Sequence, residues 1–237
     1  MFVTSKGIVV HRTKYSDTSL IVNIFTEKFG LRSFMVKGAF AKKSKFRYTL
    51  FSPLAMLEVT FDLRNSDILF LKDVRLHYHF TRIPLDVVRN SILMFYNELI
   101  YKTIFQHHED QALFLYVEKK ILELDEEVVA TADVHIRFIL GLLQVLGVGI
   151  ANNYSETNCY FFLQESAFQS QYFDHDEILS QQSSAYLSQL LTDKNTNIQA
   201  DKSIRLELLR FLLRYMTYHI PGFKMSDSLQ ILADILN

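Results

Sequence analysis

The first third of the chain is a series of short apolar runs separated by polar turns, a pattern typical of β-strands, and the run Arg32–Lys37 alternates polar and apolar residues. Five such runs occur between residues 5 and 75, each rich in β-branched or aromatic side chains and bounded by turn residues. The runs are Gly7–Arg12, Leu20–Phe25, Arg32–Lys37, Leu54–Phe61 and Ile68–Asp73. Between the second and third, Gly30 can take the positive φ of a tight hairpin turn. Five strands in about 75 residues predict a small closed or nearly closed barrel, most simply the five-stranded oligonucleotide-binding (OB) barrel.

The hydrophobic period changes to that of helices near Thr81. Helices are predicted from Pro84 to about Ile100, Gln111 to Leu124, Asp133 to Leu146, Asp174 to Leu191, Ile204 to His219 and Ser226 to Ile235. Asp174 and Glu177 have the spacing of a capping box at the start of the fourth helix. Residues 151–173 are irregular and aromatic. The prediction is an α+β protein, with an OB barrel in residues 1–80 and a helical domain in residues 81–237.

The distribution of charge separates the same two parts. The 237 residues are 49% apolar and carry a net charge of −1. Residues 1–80 hold 13 Lys and Arg against six Asp and Glu, a balance of +7, so the remainder carries −8. A basic module attached to an acidic one is typical of proteins whose basic part meets a polyanion.

The densest positive stretch is residues 36–47, directly after the third predicted strand. It contains no acidic residue and five cations: Lys37, Lys42, Lys43, Lys45 and Arg47. Phe40 and Phe46 lie among them, and small residues such as Gly38 allow a loop. Cations with interleaved aromatics suit a phosphate backbone whose bases stack on a ring. The alternative for a lone lysine cluster is a solvated loop.

Catalytic and cofactor motifs are lacking in the sequence. There is no glycine-rich phosphate loop, no dinucleotide fingerprint and no HExxH pair. His107 to Asp110 is the densest ligand-like cluster, but adjacent helical residues do not face one another, so it is interpreted as a solvated helix end. Cys159, the only cysteine, excludes a disulfide within the chain and a cysteine-based zinc site. We therefore expect no enzyme, no metal and no cofactor. With no secretory signal and no apolar run long enough for a bilayer, we expect a soluble cytoplasmic protein.

Two polar features interrupt the apolar helices. Arg137, Gly141 and Gln144 form a stripe at i, i+4 and i+7 on the third predicted helix. An Arg beside a small residue could bind a peptide with a carboxylate and a hydrophobic anchor; the alternative is a helix contact in which Arg137 pairs with an internal acid. Glu207, Arg210 and Arg214 form a second stripe, most simply explained by a Glu207–Arg210 pair that leaves Arg214 to contact something else.

Four segments of the amino-terminal half resemble the bacterial recombination-mediator family RecO. They are Gly7–Leu20, Phe25–Gly30, Val36–Ala39 with Lys42-Lys43-Ser44, and Phe51–Leu54. Residues 137–147 and Leu212–Leu229 are similar to the helical part of that family more loosely. The resemblance covers essentially the whole chain and is specific in the first 55 residues.

The resemblance implies an OB barrel and a helical domain that bind single- and double-stranded DNA and anneal complementary strands. It also implies work with RecR to load RecA onto DNA covered by single-strand-binding protein. Carried over, the DNA-contacting loop is Lys37, Lys42, Lys43, Lys45 and Arg47, with Arg12, Lys14 and Arg32 as neighbours on the barrel. Arg137 matches a basic position that helps hold the acidic, Phe-ended tail of single-strand-binding protein, and this favours the peptide-binding alternative for its stripe. Arg210 and Arg214 are weaker candidates for the same pocket.

The chain departs from the family in the region of its zinc module. Many relatives carry a four-cysteine zinc module in the region matching residues 158–173, where this chain has Cys159 and six aromatics. We predict that aromatic packing replaces the metal.

The rival functions are a protein-interaction adaptor whose basic loop contacts acidic partners, and a nucleic-acid-processing enzyme, which would need clustered carboxylates.

Overall fold

The computed structural model describes residues 1–42, 44–104, 109–126, 132–171, 177–193 and 199–226. The chain divides into two units, Met1–Glu127 and Val128–Asn237. The first unit holds the five barrel strands and also the first two helices, because those helices pack on the barrel. The division at residues 80 and 81, which follows the change of secondary structure, stays a prediction.

A closed five-stranded barrel forms from the first 76 residues. Its strands are β1 (Phe2–Lys14), β2 (Leu20–Thr26), β3 (Gly30–Val36), β4 (Met56–Asp62) and β5 (Ile68–Leu76). They are ordered β1-β2-β3-β5-β4, and β4 closes on β1. All pairs are antiparallel except β3 with β5, which run parallel. This architecture confirms the predicted OB-type barrel, and all five predicted strands are present.

The barrel closes because β1 is long enough to pair on both sides. Its 13 residues pair with β2 along one edge and β4 along the other, with a register shift between Val9 and His11. Gly7 lies where both neighbours are paired, and a Cβ there would meet Ile24 Cγ2 at 2.5 Å. Glycine at this position therefore permits the close approach of β1 and β2. The interior is filled by inward-facing apolar side chains, including Val22, Ile24, Phe34, Leu57, Val59 and Phe61.

Two helices, α1 (Val87–Thr103) and α2 (Gln111–Glu126), pack on the barrel. The Phe25 ring of β2 lies 5.6 Å from the Phe114 ring of α2. Pro84 lies in a short 3-10 turn, Ile83–Leu85, and α1 begins after it. Asp86 caps α1 by accepting hydrogen bonds from the amides of Val88 at 2.8 Å and Arg89 at 3.1 Å. Both predicted helices are present, and α2 begins at Gln111 as predicted, but α1 begins at Val87 rather than at Pro84.

A buried carboxylate fastens the chain leaving the barrel to the end of α2. Asp125 is fully buried and accepts hydrogen bonds from the amides of Thr81, Arg82 and Ile83 at 2.8 to 2.9 Å. The Tyr78 hydroxyl also donates to it at 3.0 Å. Burial alone would raise the pKa of Asp125, but these hydrogen bonds outweigh burial and lower the pKa to about 2. Burial, followed by the bonds to Asp125 and Glu126, raises the pKa of Tyr78 to about 12.

The described residues of the second unit form three helices and a short aromatic hairpin. Its elements are α3 (Val134–Val145), β6 (Tyr160–Phe162), β7 (Ala167–Gln169), α4 (Gln181–Thr192) and α5 (Lys202–His219). Phe161 of β6 packs against Phe168 of β7 at 4.9 Å and against Phe211 of α5 at 5.9 Å. Cys159 is buried beside this hairpin. The predicted aromatic packing in this region is therefore observed for the residues described.

The capping box predicted to start the fourth helix is wrong. Asp174 lies outside the described residues, and Glu177 lies before α4 rather than within it. The cap is Ser180, whose hydroxyl accepts a hydrogen bond from the Ser183 amide. The chain before it instead joins the hairpin, where Leu163 N–H donates to the Glu177 carbonyl at 2.8 Å. The predicted terminal helix from Ser226 to Ile235 lies outside the described residues except for its first residue.

We expect Asp125→Asn to destabilise the first unit by about 2 to 4 kcal/mol at pH 7, because an amide cannot accept all these hydrogen bonds. Since the pKa of Asp125 is lowered in the folded state, its stabilisation is complete above its ordinary pKa near 3.8 and is lost as the pH falls towards 2. The difference between variant and wild type should therefore shrink at pH 3. Urea unfolding at both pH values measures it.

The exposed acid Asp67 provides a matched control, because Asp67→Asn should leave unfolding nearly unchanged at both pH values. Equal stability of Asp125→Asn and wild type at pH 7 would contradict the anchoring role of this carboxylate.

Candidate nucleic-acid interface

The basic loop, residues 37–47, is anchored at its base by backbone hydrogen bonds. It leaves β3 at Lys37, and Gly38 takes φ +68, a left-handed conformation that glycine adopts without strain. Ala41 N–H donates to the Gly38 carbonyl at 3.0 Å, and Tyr48 N–H donates to the Ala39 carbonyl at 3.2 Å. Ala39 itself is buried in the barrel core. The loop thus projects charged side chains from a base that the barrel holds.

The cations of this loop are exposed and are not neutralised within the described structure. Lys37, Lys42, Lys45 and Arg47 are all exposed. None of the four forms an ion pair with a carboxylate of a described residue. Lys43, the fifth predicted cation, lies outside the described residues. Unpaired exposed cations keep their attraction for an external polyanion.

Two aromatic rings and Arg12 of β1 come together at the end of the basic loop. Phe40 and Tyr48 stack with centroids 5.4 Å apart and planes at 28°, and they are 40% and 46% exposed. Arg12 of β1 donates from its guanidinium to the Tyr48 carbonyl at 3.2 Å. The structure therefore brings Arg12 to the basic loop. The sequence reasoning missed Tyr48, since the only signal was an aromatic one residue beyond the last loop cation.

Lys14 and Arg32, the other two predicted barrel cations, are held differently. Lys14 Nζ lies 3.2 Å from Asp17 Oδ1, an exposed pair that solvent screens. Arg32 Nε donates to the Phe29 carbonyl at 2.8 Å, within the β2–β3 hairpin. Both residues thus have a local partner in the structure, and their contact with a ligand stays a prediction.

Arg137 in the second unit is held by an internal acid. Its Nε donates to Asp133 Oδ2 at 2.9 Å, and its terminal nitrogen donates to the Asp193 carbonyl after α4 at 2.8 Å. The Asp133 side chain is 2% exposed and that of Arg137 is 16% exposed. The pairing with an internal acid that was left as an alternative is therefore observed. Gly141 is half-buried and Gln144 is exposed along the same stripe.

In the second stripe, on α5, Glu207 forms hydrogen bonds that stabilise the fold. Glu207 accepts hydrogen bonds from the Ser180 amide at 3.0 Å, the Ser180 hydroxyl at 2.8 Å and the Ser183 hydroxyl at 2.6 Å. A carboxylate at a helix N-terminus is favoured by the helix dipole, so Glu207 stabilises the start of α4. Arg210 and Arg214 are exposed, and the Arg214 guanidinium lies over the Phe211 ring at 5.7 Å. Their grouping with Arg137 stays a prediction.

The described residues contain neither a metal-ligand cluster nor a helix suited to spanning a membrane. No three His, Cys, Asp or Glu side chains among them converge as metal ligands. None of the helices, as far as the structure describes them, is both long and apolar enough to span a bilayer. The predicted His107–Asp110 cluster lies half outside the described residues, since His107 and His108 are not described.

Comparison with known proteins gives matches over nearly the whole chain. Residues 1–80 match the family described as "Recombination protein O N terminal" and residues 84–228 match "Recombination protein O C terminal". A DNA repair protein RecO from Phocaeicola vulgatus is 30% identical over 241 residues, covering 100% of both chains. Proteins of the same name from Bacteroides fragilis and Flavobacterium psychrophilum are 30% and 29% identical, again over 100% of both chains.

We expect Arg137→Gln to destabilise the protein by about 3 kcal/mol, because it leaves the buried Asp133 carboxylate without its guanidinium. Adding Asp133→Asn should restore part of that loss, since no buried charge is then unpaired. A double-mutant cycle measured by urea unfolding tests the coupling. Additive losses in the two single variants and the double variant would show that the pair contributes nothing.

Proposed function

Because the chain belongs to the RecO family of DNA repair proteins, we propose that it is a recombination mediator whose barrel binds single- and double-stranded DNA. The observation that carries the proposal is the basic loop. Its exposed cations have no carboxylate partner among the described residues, and the barrel core holds its base. Phe40, Tyr48 and Arg12 extend the same surface with stacked rings and a further positive charge.

The mechanism is electrostatic. Each lysine or arginine that meets a phosphate releases condensed counterions, so affinity falls steeply as salt rises. Two strands that lie on one positive surface repel each other less, and complementary strands can then pair. Lys37, Lys42, Lys43, Lys45 and Arg47 are the phosphate-binding residues in this scheme, with Arg12, Lys14 and Arg32 beside them. No step requires a nucleophile, a metal or a cofactor, and the protein acts without catalysis.

The helical part serves protein partners. Beyond residue 80 the chain carries a charge of −8, which disfavours contact with DNA and leaves this part to partners. In our proposal RecR and the acidic tail of single-strand-binding protein bind here, and the assembly loads RecA onto covered single strands. Arg137, Gly141 and Gln144 bind the tail, with Arg210 and Arg214 nearby. The site of action is the cytoplasm, at the nucleoid.

The DNA-binding proposal is tested by replacing Lys42, Lys43 and Lys45 with Ala. Three lost phosphate contacts should lower the slope of log affinity against log salt by about 2 to 3. Filter-binding titrations of a single-stranded oligonucleotide and of a duplex, each at several salt concentrations, give the slope. An unchanged slope would remove this loop from the DNA interface.

Lys102, Lys119 and Lys120 provide a matched control with the same loss of charge. Each already pairs with a glutamate on its own helix, at 3.7, 3.6 and 2.6 Å respectively. Their replacement by Ala should leave the slope close to that of the wild type. If the wild type itself binds neither DNA with a salt-dependent affinity, the protein is the adaptor for acidic partners instead.

The tail-binding proposal is tested by Arg137→Ala together with Arg137→Lys. Lysine keeps the charge opposite Asp133 but lacks the planar fork that binds a carboxylate through two hydrogen bonds. Both variants should weaken binding of an acidic, Phe-ended peptide about tenfold or more, while naked-DNA binding stays within about twofold of the wild type. Fluorescence anisotropy with labelled peptide and labelled DNA measures both. Equal losses for peptide and DNA would refute the separation of the two surfaces.

A further inference from the structure

A second group of exposed rings and cations lies on the outer face of the barrel, and all of its members except Lys37 lie outside the basic loop. On β5 the buried Leu69 is flanked by Ile68 and Phe70, which point outward and are 37% and 56% exposed. Phe2 of β1 is 55% exposed. Phenylalanines this open contribute little to the stability of the barrel, because their rings remain largely in contact with water. Their exposure therefore calls for an explanation outside the core.

Each of the two rings is accompanied by an ammonium group. Lys37 Nζ lies 5.2 Å from the centre of the Phe70 ring, and Lys72 Nζ lies 3.8 Å from the centre of the Phe2 ring. The parallel register, in which Met35 pairs with Phe70, brings the end of β3 and so Lys37 alongside β5. We call Phe2, Phe70, Lys37 and Lys72 the β5 platform. Phe2 and Phe70 remain 55% and 56% exposed beside these ammonium groups, so part of each ring is available for stacking.

The platform is continuous with the basic loop. Lys45 Nζ donates to the Lys72 carbonyl at 2.6 Å, so the loop is tied to β5 at this point. A strand of nucleic acid whose phosphates follow the loop cations would therefore reach the platform without leaving the positive surface. This continuity gives the platform the same class of ligand as the loop.

The one acid between the two rings is neutralised. Asp62 of β4 pairs with Phe2 in the sheet and lies one residue beyond the Phe61–Leu71 pair, which places it level with Phe70. Its carboxylate contacts the Arg64 guanidinium at 2.5 Å and the amino-terminal ammonium of Met1 at 2.7 Å. A phosphate passing here thus meets an acid that is already paired.

We propose that the β5 platform stacks unpaired bases of single-stranded nucleic acid and so distinguishes single strands from duplex. The inference rests on the proposed DNA-binding function and goes beyond it, because cations alone neutralise phosphates of both forms. Bases in a duplex are already stacked on one another and cannot reach Phe2 or Phe70. Unpaired bases can, and a base on an aromatic ring adds affinity without sequence preference.

The chain contains no tryptophan, so Phe70→Trp introduces a single fluorescent reporter at the platform. Stacking of a base on the indole quenches its emission. An oligothymidylate of about 15 nucleotides should quench this variant at saturation, whereas a blunt duplex, although bound, should not. Leu76→Trp is the matched control, because Leu76 is 44% exposed on the same strand, outside the platform; its emission should change little with either DNA.

A second measurement uses Phe2→Leu and Phe70→Leu, which keep an apolar side chain and remove the ring. We expect oligothymidylate affinity to fall about fivefold for each ring, and duplex affinity to stay within about twofold of the wild type. Phe70→Trp should retain the affinity for the single strand. Neither change reaches the barrel core, so folding of the variants should be preserved.

The outcomes separate this inference from the proposed function. If the wild type binds both DNAs but Phe70→Trp is not quenched and the Leu variants bind normally, the platform is overturned and the basic loop still accounts for DNA binding. Equal losses for single strand and duplex in the Leu variants would overturn base stacking as well. A wild type that binds no DNA would overturn the platform and the proposed function together.

Discussion

Like charges gathered on one small surface repel one another, and the barrel holds them there. Lys37, Lys42, Lys45 and Arg47 lie within eleven residues of chain, with no described carboxylate beside them. Their repulsion is overcome by the backbone rather than by countercharge. Ala39 is buried in the core, Tyr48 N–H closes the base of the loop, and Lys45 is fixed to the Lys72 carbonyl. Because none of these cations pairs with a carboxylate of a described residue, their charge stays available for a ligand.

Three acids of this protein stabilise its structure through hydrogen bonds and an ion pair. Asp125 binds three backbone amides between the barrel and α2, Glu207 binds the start of α4, and Asp133 binds Arg137. A carboxylate that accepts several hydrogen bonds has its negative charge compensated locally. The negative charge of these acids is therefore engaged in local contacts within each unit. Removing Arg137 therefore leaves the buried Asp133 carboxylate without its ion-pair partner, in addition to any effect on the binding of a partner protein.

The sequence predicts the barrel and most of the helices well, because their patterns are local. The runs predicted as strands correspond to β1 to β5, and the predicted bounds of α2, α3 and α5 lie within two residues of those in the structure. The capping box predicted at Asp174 and Glu177 was wrong because the Glu177 carbonyl accepts a hydrogen bond from Leu163 next to the hairpin. Ser180 caps α4 instead. The Arg137–Asp133 pair shows a further limit of reasoning from local sequence patterns. Its spacing to Asp133 allowed a pair, but only packing decided that the acid is buried.

By itself the sequence determined where positive charge is concentrated, which segments form the barrel strands and the long helices, and which family the chain belongs to, since these are properties of residue order and composition. It did not predict the short β6–β7 hairpin, which lies in the segment that was expected to be irregular. The tertiary structure alone decided which rings and cations come together. Arg12 meets Tyr48, and Lys37 meets Phe70, across 36 and 33 residues of chain. Such encounters depend on the parallel pairing of β3 with β5 and on the closure of β1 onto β4. Contacts of this kind carry no periodic signal, because the residues share a surface only after the barrel has closed.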